Sequence, residues 1–151
     1  MKHKTGWGVV GLVLGLALHN QAQAAPSLAM PKAFQGRWAA AVDVANAHKV
    51  CRGQYRGDDA VVLKINAAQN RIDAHYYEND ATMKWGSISS HSATEVKGQL
   101  HTTTQFEGDD EMTHFQAPAQ MVLQAQGKQM LTRNVVQRNT NRVLVWCDNK
   151  L

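Results

Sequence analysis

Val96-Lys97-Gly98-Gln99-Leu100-His101-Thr102-Thr103-Thr104-Gln105-Phe106 is the stretch on which the fold reading turns. Val96, Gly98, Leu100, Thr102, Thr104 and Phe106 fall on one face, and the five residues between them fall on the other. A period of two is that of a strand, whose successive side chains point to opposite sides of a sheet. The β-branched threonines suit a pleated, half-buried surface. Gly108-Asp109-Asp110 then reads as a turn.

The same period recurs on either side. Val61, Leu63 and Ile65 share one face, and Ile72, Ala74 and Tyr76 share another, across a short Asn66-Ala67-Ala68-Gln69-Asn70 link. Met83 and Trp85 agree in phase. Gly86 interrupts them, and Ile88 falls in the opposite phase, which predicts a bulge or sharp bend. A strand starts at residues 112–115, is disturbed by Pro118, and resumes at Met121, Leu123 and Ala125. Two last strands follow over residues 130–136 and 143–147. Upstream, residues 38–44 read as a strand passing into a short helical or irregular connection before Cys51, because alanine favours helix. About eight strands at hairpin spacing predict an all-β chain, a single antiparallel up-and-down barrel. A two-sheet sandwich fits the same pattern, but the short links favour the barrel.

The N-terminal end carries a different signal. Lys2 and Lys4 precede an apolar run over residues 9–18, and Ala22-Gln23-Ala24 has the small-x-small form of a cleavage site. This predicts a cleaved signal peptide over residues 1–24, a barrel domain over 25–151, and export to an oxidising compartment. The apolar run of about ten residues is half of the about twenty that a membrane-spanning helix needs. Cys51 and Cys147 are the two cysteines, and an even pair in an exported chain predicts one disulfide. Removal of Lys2 and Lys4 leaves a mildly basic domain with scattered cations, which speaks against nucleic acid as a partner.

Chemistry-bearing residues are sparse. His48, His75, His91, His101 and His114 have no compact ligand spacing, so no metal or other cofactor is assigned. Glu107, Asp109, Asp110 and Glu111 lack the spacing of a calcium loop and read as a charged hairpin tip. There is no Gly-x-Ser-x-Gly elbow and no His-Glu-x-x-His helix, and an enzyme is the least favoured class.

Gly36-x-Trp38 near the mature start, a cysteine soon after, Tyr76-Tyr77-Glu78 at a strand end, Glu107-Gly108-Asp109 in a turn and a terminal strand ending in cysteine together resemble the small lipocalin-like proteins exported by Gram-negative bacteria. The resemblance implies a barrel with Gly36 bending the chain into the first strand and Trp38 packed at the closed end. It also implies an arginine laid across that tryptophan, for which Arg142 is the nearest match and Arg138 the second. The resemblance also implies delivery to the periplasm. A closed barrel there predicts binding of a small apolar or amphipathic ligand, with Tyr76, Trp85 and Met121 as the expected lining. A protein-interaction module, such as an inhibitor or immunity protein of a cell-wall hydrolase, is the alternative, and a metal-binding envelope protein using the histidines is a weaker one.

Overall fold

A computed structural model describes residues 28–77, 79–106, 111–124, 128–136 and 141–151. The predicted signal segment, Glu78, Arg138, the 107–110 turn and the 125–127 turn lie outside the described residues. Eight strands run as an antiparallel meander: β1 (Gly36–Ala40), β2 (Val61–Asn66), β3 (Arg71–His75), β4 (Asn79–His91), β5 (Glu95–Phe106), β6 (Met112–Leu123), β7 (Gln129–Arg133) and β8 (Asn141–Asp148). Each pairs with the next, and β8 returns to β1, so the sheet closes into one barrel. Closure removes the two edges that an open meander would leave unpaired.

The alternation read from the sequence is the alternation of the barrel wall. Val61, Leu63 and Ile65 point inward from β2, and Ile72 and Ala74 from β3, with register pairs Leu63–Ala74 and Ile65–Ile72. On β4 the register shifts between Trp85 and Ser87 and again between Ile88 and Ser90, as the break at Gly86 predicts. The interior is filled with Trp38, Leu63, Ile65, Ile72, Met83, Leu100, Met121, Met130 and Leu144, all fully buried. Pro118 does not interrupt its strand: β6 is continuous, and Pro118 pairs with Gln99. The ladder to β7 starts only at Gln120, so the amide hydrogen that proline lacks is not demanded there.

One end of the barrel is sealed by the chain that enters it. Phe34, in a single helical turn Lys32–Phe34, is fully buried with Met30 and Ala67 beneath the barrel. Met30 N–H donates to Asn70 Oδ1 at 2.8 Å, and Ala67 N–H to Gln35 Oε1 at 2.9 Å. Trp38 is 1% exposed, and its indole N–H donates to the Phe34 carbonyl at 3.0 Å. Gly36 makes the entry possible. Its φ is +120°, and a Cβ there would lie 2.6 Å from the Asp148 carbonyl oxygen.

The connection between β1 and β2 holds the one α-helix among the described residues, α1 (Val44–Cys51). Asp43 caps it by accepting from Asn46 N–H at 2.7 Å. Ala47 and Val50 lie over Ala39 and Val145, which point outward from β1 and β8 and are nevertheless fully buried. The alanines here serve a strand as well as a helix: Ala39 and Ala40 belong to β1, where a small outward side chain lets the helix approach. The last residue of α1 closes the predicted disulfide, Cys51–Cys147, with Cα atoms 5.3 Å apart. No described helix is long and apolar enough to cross a membrane.

Candidate functional site

Among the described residues, the other end of the barrel carries a cavity instead of a plug. The inward residues of β4 and β5 shrink and turn polar as they approach it: Met83 pairs with Thr102, and Ala81 with Thr104. Phe115 sits opposite Thr102 on β6. Tyr76 and Tyr77 leave the end of β3, Asn79 opens β4, and Asp58 reaches over from the α1–β2 connection. Asn134, Val135 and Val136, which follow β7, form the remaining wall. Together these residues enclose a cavity of about 420 Å³ at the mouth.

Tyr76 fixes one side of it. Its hydroxyl donates to the Val136 carbonyl at 2.6 Å, tying the end of β3 to the segment after β7. Burial pushes its pKa up to about 12, against a smaller opposing pull from the Arg142 charge.

Among the described residues two threonines are buried in the barrel, and they differ. Thr132 donates to the Arg142 carbonyl at 3.3 Å. Thr102, 4% exposed and lining the cavity, has a buried hydroxyl with no hydrogen-bond partner. Two other buried nitrogens lack partners. Arg37 Nε belongs to a guanidinium already held by Asp148 and the Cys51 carbonyl through Nη2, and Trp85 Nε1 sits in the packed core. Of the three residues Thr102 alone lines the cavity; its hydroxyl oxygen lies just beneath the cavity surface, and a side-chain rotation would present it to an incoming molecule.

Behind Asp58, Asp59 braces the mouth. Its carboxylate accepts from the Val42 amide and, at 2.7 Å, from the Tyr55 hydroxyl. Its own carbonyl accepts from Arg142 Nη1 at 2.9 Å. The Tyr55 bond, then the Val42 amide and the Arg142 charge, hold the Asp59 carboxyl below the usual carboxylate range despite some desolvation. The same hydrogen bond and the negative charge of Asp59 push the Tyr55 hydroxyl up.

The structure separates the residues that sequence reasoning grouped as lining. Tyr76 lines the cavity. Trp85 and Met121 do not: both are packed into the filled core, because inward residues halfway down an eight-stranded barrel meet across its axis. Arg142 is also displaced from its expected role. The β8 residue opposite Trp38 is Trp146, and Arg142 lies four residues further along, about 13 Å at strand rise, bound to Asp59 near the mouth. A cation does meet an indole nearby, with Lys128 Nζ 5.1 Å from the centre of the Trp146 ring. His48, His75, His91, His101 and His114 are all exposed, and no three metal-ligating side chains cluster among the described residues.

Asp58, Asn79, Thr102 and residues 134–136 were not singled out from sequence. Thr102 left a partial signal, a hydroxyl shared with Thr104 on the face that also carries Val96, Leu100 and Phe106. Residues 134–136 left none, since their place depends on where β7 ends. Comparison of the chain with known protein families, with curated proteins and with solved structures returns no match in any of the three.

Proposed function

We propose that the chain is an exported, periplasmic binding protein that holds a small amphipathic molecule at the barrel mouth. The observation that carries this reading is the unpartnered Thr102 hydroxyl at the cavity wall. A buried hydroxyl without a bond costs about 1–3 kcal/mol, and a ligand that supplies the bond recovers it. The cavity volume of about 420 Å³ lies within the roughly 300–1,000 Å³ of small-molecule pockets, and its lining mixes apolar and polar groups as such pockets do. The filled core below it favours a ligand at the mouth over one along the barrel axis. The eight-stranded meander with a tryptophan near its sealed end is consistent with a lipocalin-like relationship, and the disulfide with an oxidising compartment.

Native mass spectrometry of protein purified from a Gram-negative periplasm tests both parts. The expected result is a polypeptide beginning near residue 25 that carries a small molecule, and loss of that molecule in Thr102→Val. A preparation free of any adduct, which also gains no thermal stability from a metabolite panel, would overturn the binding reading. A retained N-terminal segment would overturn the export reading.

A further inference from the structure

We propose that the ligand of the mouth cavity is cationic, an amphipathic amine whose ammonium group sits between Asp58 and the rings of Tyr76, Tyr77 and Phe115. The inference rests on the binding reading above and adds the sign of the ligand's charge. Among the described residues, Asp58 is the one formally charged residue lining the cavity, and no described lysine, arginine or histidine lines it. Three of the lining residues are aromatic, and aromatic rings attract cations over their faces. Arg142 has its guanidinium engaged by the Asp59 carbonyl, and its charge acts on the Asp59 carboxylate. Asp59 thus balances Arg142, and Asp58 is left without a counter-charge among the ion pairs described. An anionic ligand would meet that carboxylate with no cation among the described lining residues to hold it. A wholly apolar ligand would leave Thr102 unpaired. An ammonium compound bearing a hydroxyl or amide satisfies the carboxylate, the rings and the threonine together.

A matched set of probes isolates the charge. Choline, 3,3-dimethylbutanol and 3,3-dimethylbutyrate share a branched head of similar size and carry positive, zero and negative charge. Each is titrated into the isotope-labelled mature protein and followed through the backbone amide resonances. Choline is expected to shift the resonances of Tyr76, Tyr77 and Thr102 and to bind about fivefold or more tightly than the alcohol, with the carboxylate weakest. Asp58→Asn, at an exposed loop position, is expected to weaken choline about three- to tenfold while leaving the alcohol unchanged. Equal binding of choline and the alcohol, or tighter binding of the carboxylate, overturns the amine inference and leaves the binding reading intact. The absence of any shift at the mouth with choline at saturating concentration also overturns it. The binding reading itself is decided separately, by the native-mass experiment.

Discussion

Thr102 and Thr132 supply a paired experiment within one barrel. Both are buried, inward-facing threonines on strands, and both can be replaced by valine, which is β-branched and stiff at χ1 in the same way. The substitution therefore isolates the hydroxyl. At Thr102 the hydroxyl has no partner, so exchanging it for a methyl group removes an unmet desolvation cost of about 1–3 kcal/mol. For a domain of this size that is roughly 4 °C in Tm per kcal/mol, an increase of about 4–12 °C. At Thr132 the hydroxyl donates to the Arg142 carbonyl, so the same exchange breaks a bond worth about 1 kcal/mol and lowers Tm. Urea denaturation of the two variants beside the parent protein, each freed of ligand, reads both changes, provided that the slope is unchanged. Opposite signs are expected. If Thr102→Val destabilises the protein as Thr132→Val does, the Thr102 hydroxyl has an internal partner and the case for a ligand there is lost. Retention of a destabilising threonine at a cavity wall is the pattern expected where function opposes stability.

The disulfide joins residues 96 apart, and replacing both cysteines by serine should cost about 4–5 kcal/mol in the chain-entropy model, seen as a lower urea midpoint that reductant no longer changes. Trp38→Ala should cost about 3–5 kcal/mol, since it empties the sealed end and removes the bond to Phe34; a loss below 1 kcal/mol would show that the indole is not the plug. Tyr76, its pKa raised to about 12, contributes stability that is complete below pH 10 and is lost as the pH rises from there through 12, so Tyr76→Phe should flatten the alkaline limb of a Tm-against-pH curve. Asp59, its pKa lowered chiefly by the Tyr55 hydroxyl, contributes stability that is complete above its unfolded value near 3.9 and is lost as the pH falls through its folded value; Tyr55→Phe should shift that acid loss to higher pH.

The barrel was legible because its wall obeys a local rule. The facing of Val61, Leu63, Ile65, Ile72 and Ala74 follows from a period of two, and so does the phase break at Gly86. The disulfide was legible from the cysteine count together with the predicted export of the chain. What escaped the sequence is set by relations between distant strands. Whether an inward residue meets empty space or another side chain depends on its height in the barrel, and height is fixed by register. Trp85 pairs with Leu100 in the packed middle, while Met83, two residues nearer the mouth, pairs with Thr102 and borders the cavity. No periodicity distinguishes these two positions. Arg142 was misplaced for the same reason: the β1–β8 register, which decides what faces Trp38, joins the two ends of the domain. Pro118 was overread as a breaker because its effect depends on whether a neighbour needs its amide.

The two ends of the barrel are built for different tasks, and one permits the other. At the sealed end the β1–β8 seam is reinforced from both sides. Trp38 and Phe34 pack inside; Arg37 and Asp148 pair at 2.7 Å outside, and the Cys51–Cys147 bond pins α1 across the same seam. Among the described residues the mouth has no comparable apolar plug, and is held by single polar bonds: Tyr76 to Val136, Arg142 to Asp59, Tyr55 to Asp59. Each such bond is worth about 1 kcal/mol, against several for the buried aromatic plug. Mouth and base should therefore respond unequally to damage. A substitution that cuts one mouth bond can loosen the cavity rim while the barrel stays closed, because the contacts that close it lie at the opposite end. That division lets an unpaired threonine and an open cavity persist in a small domain.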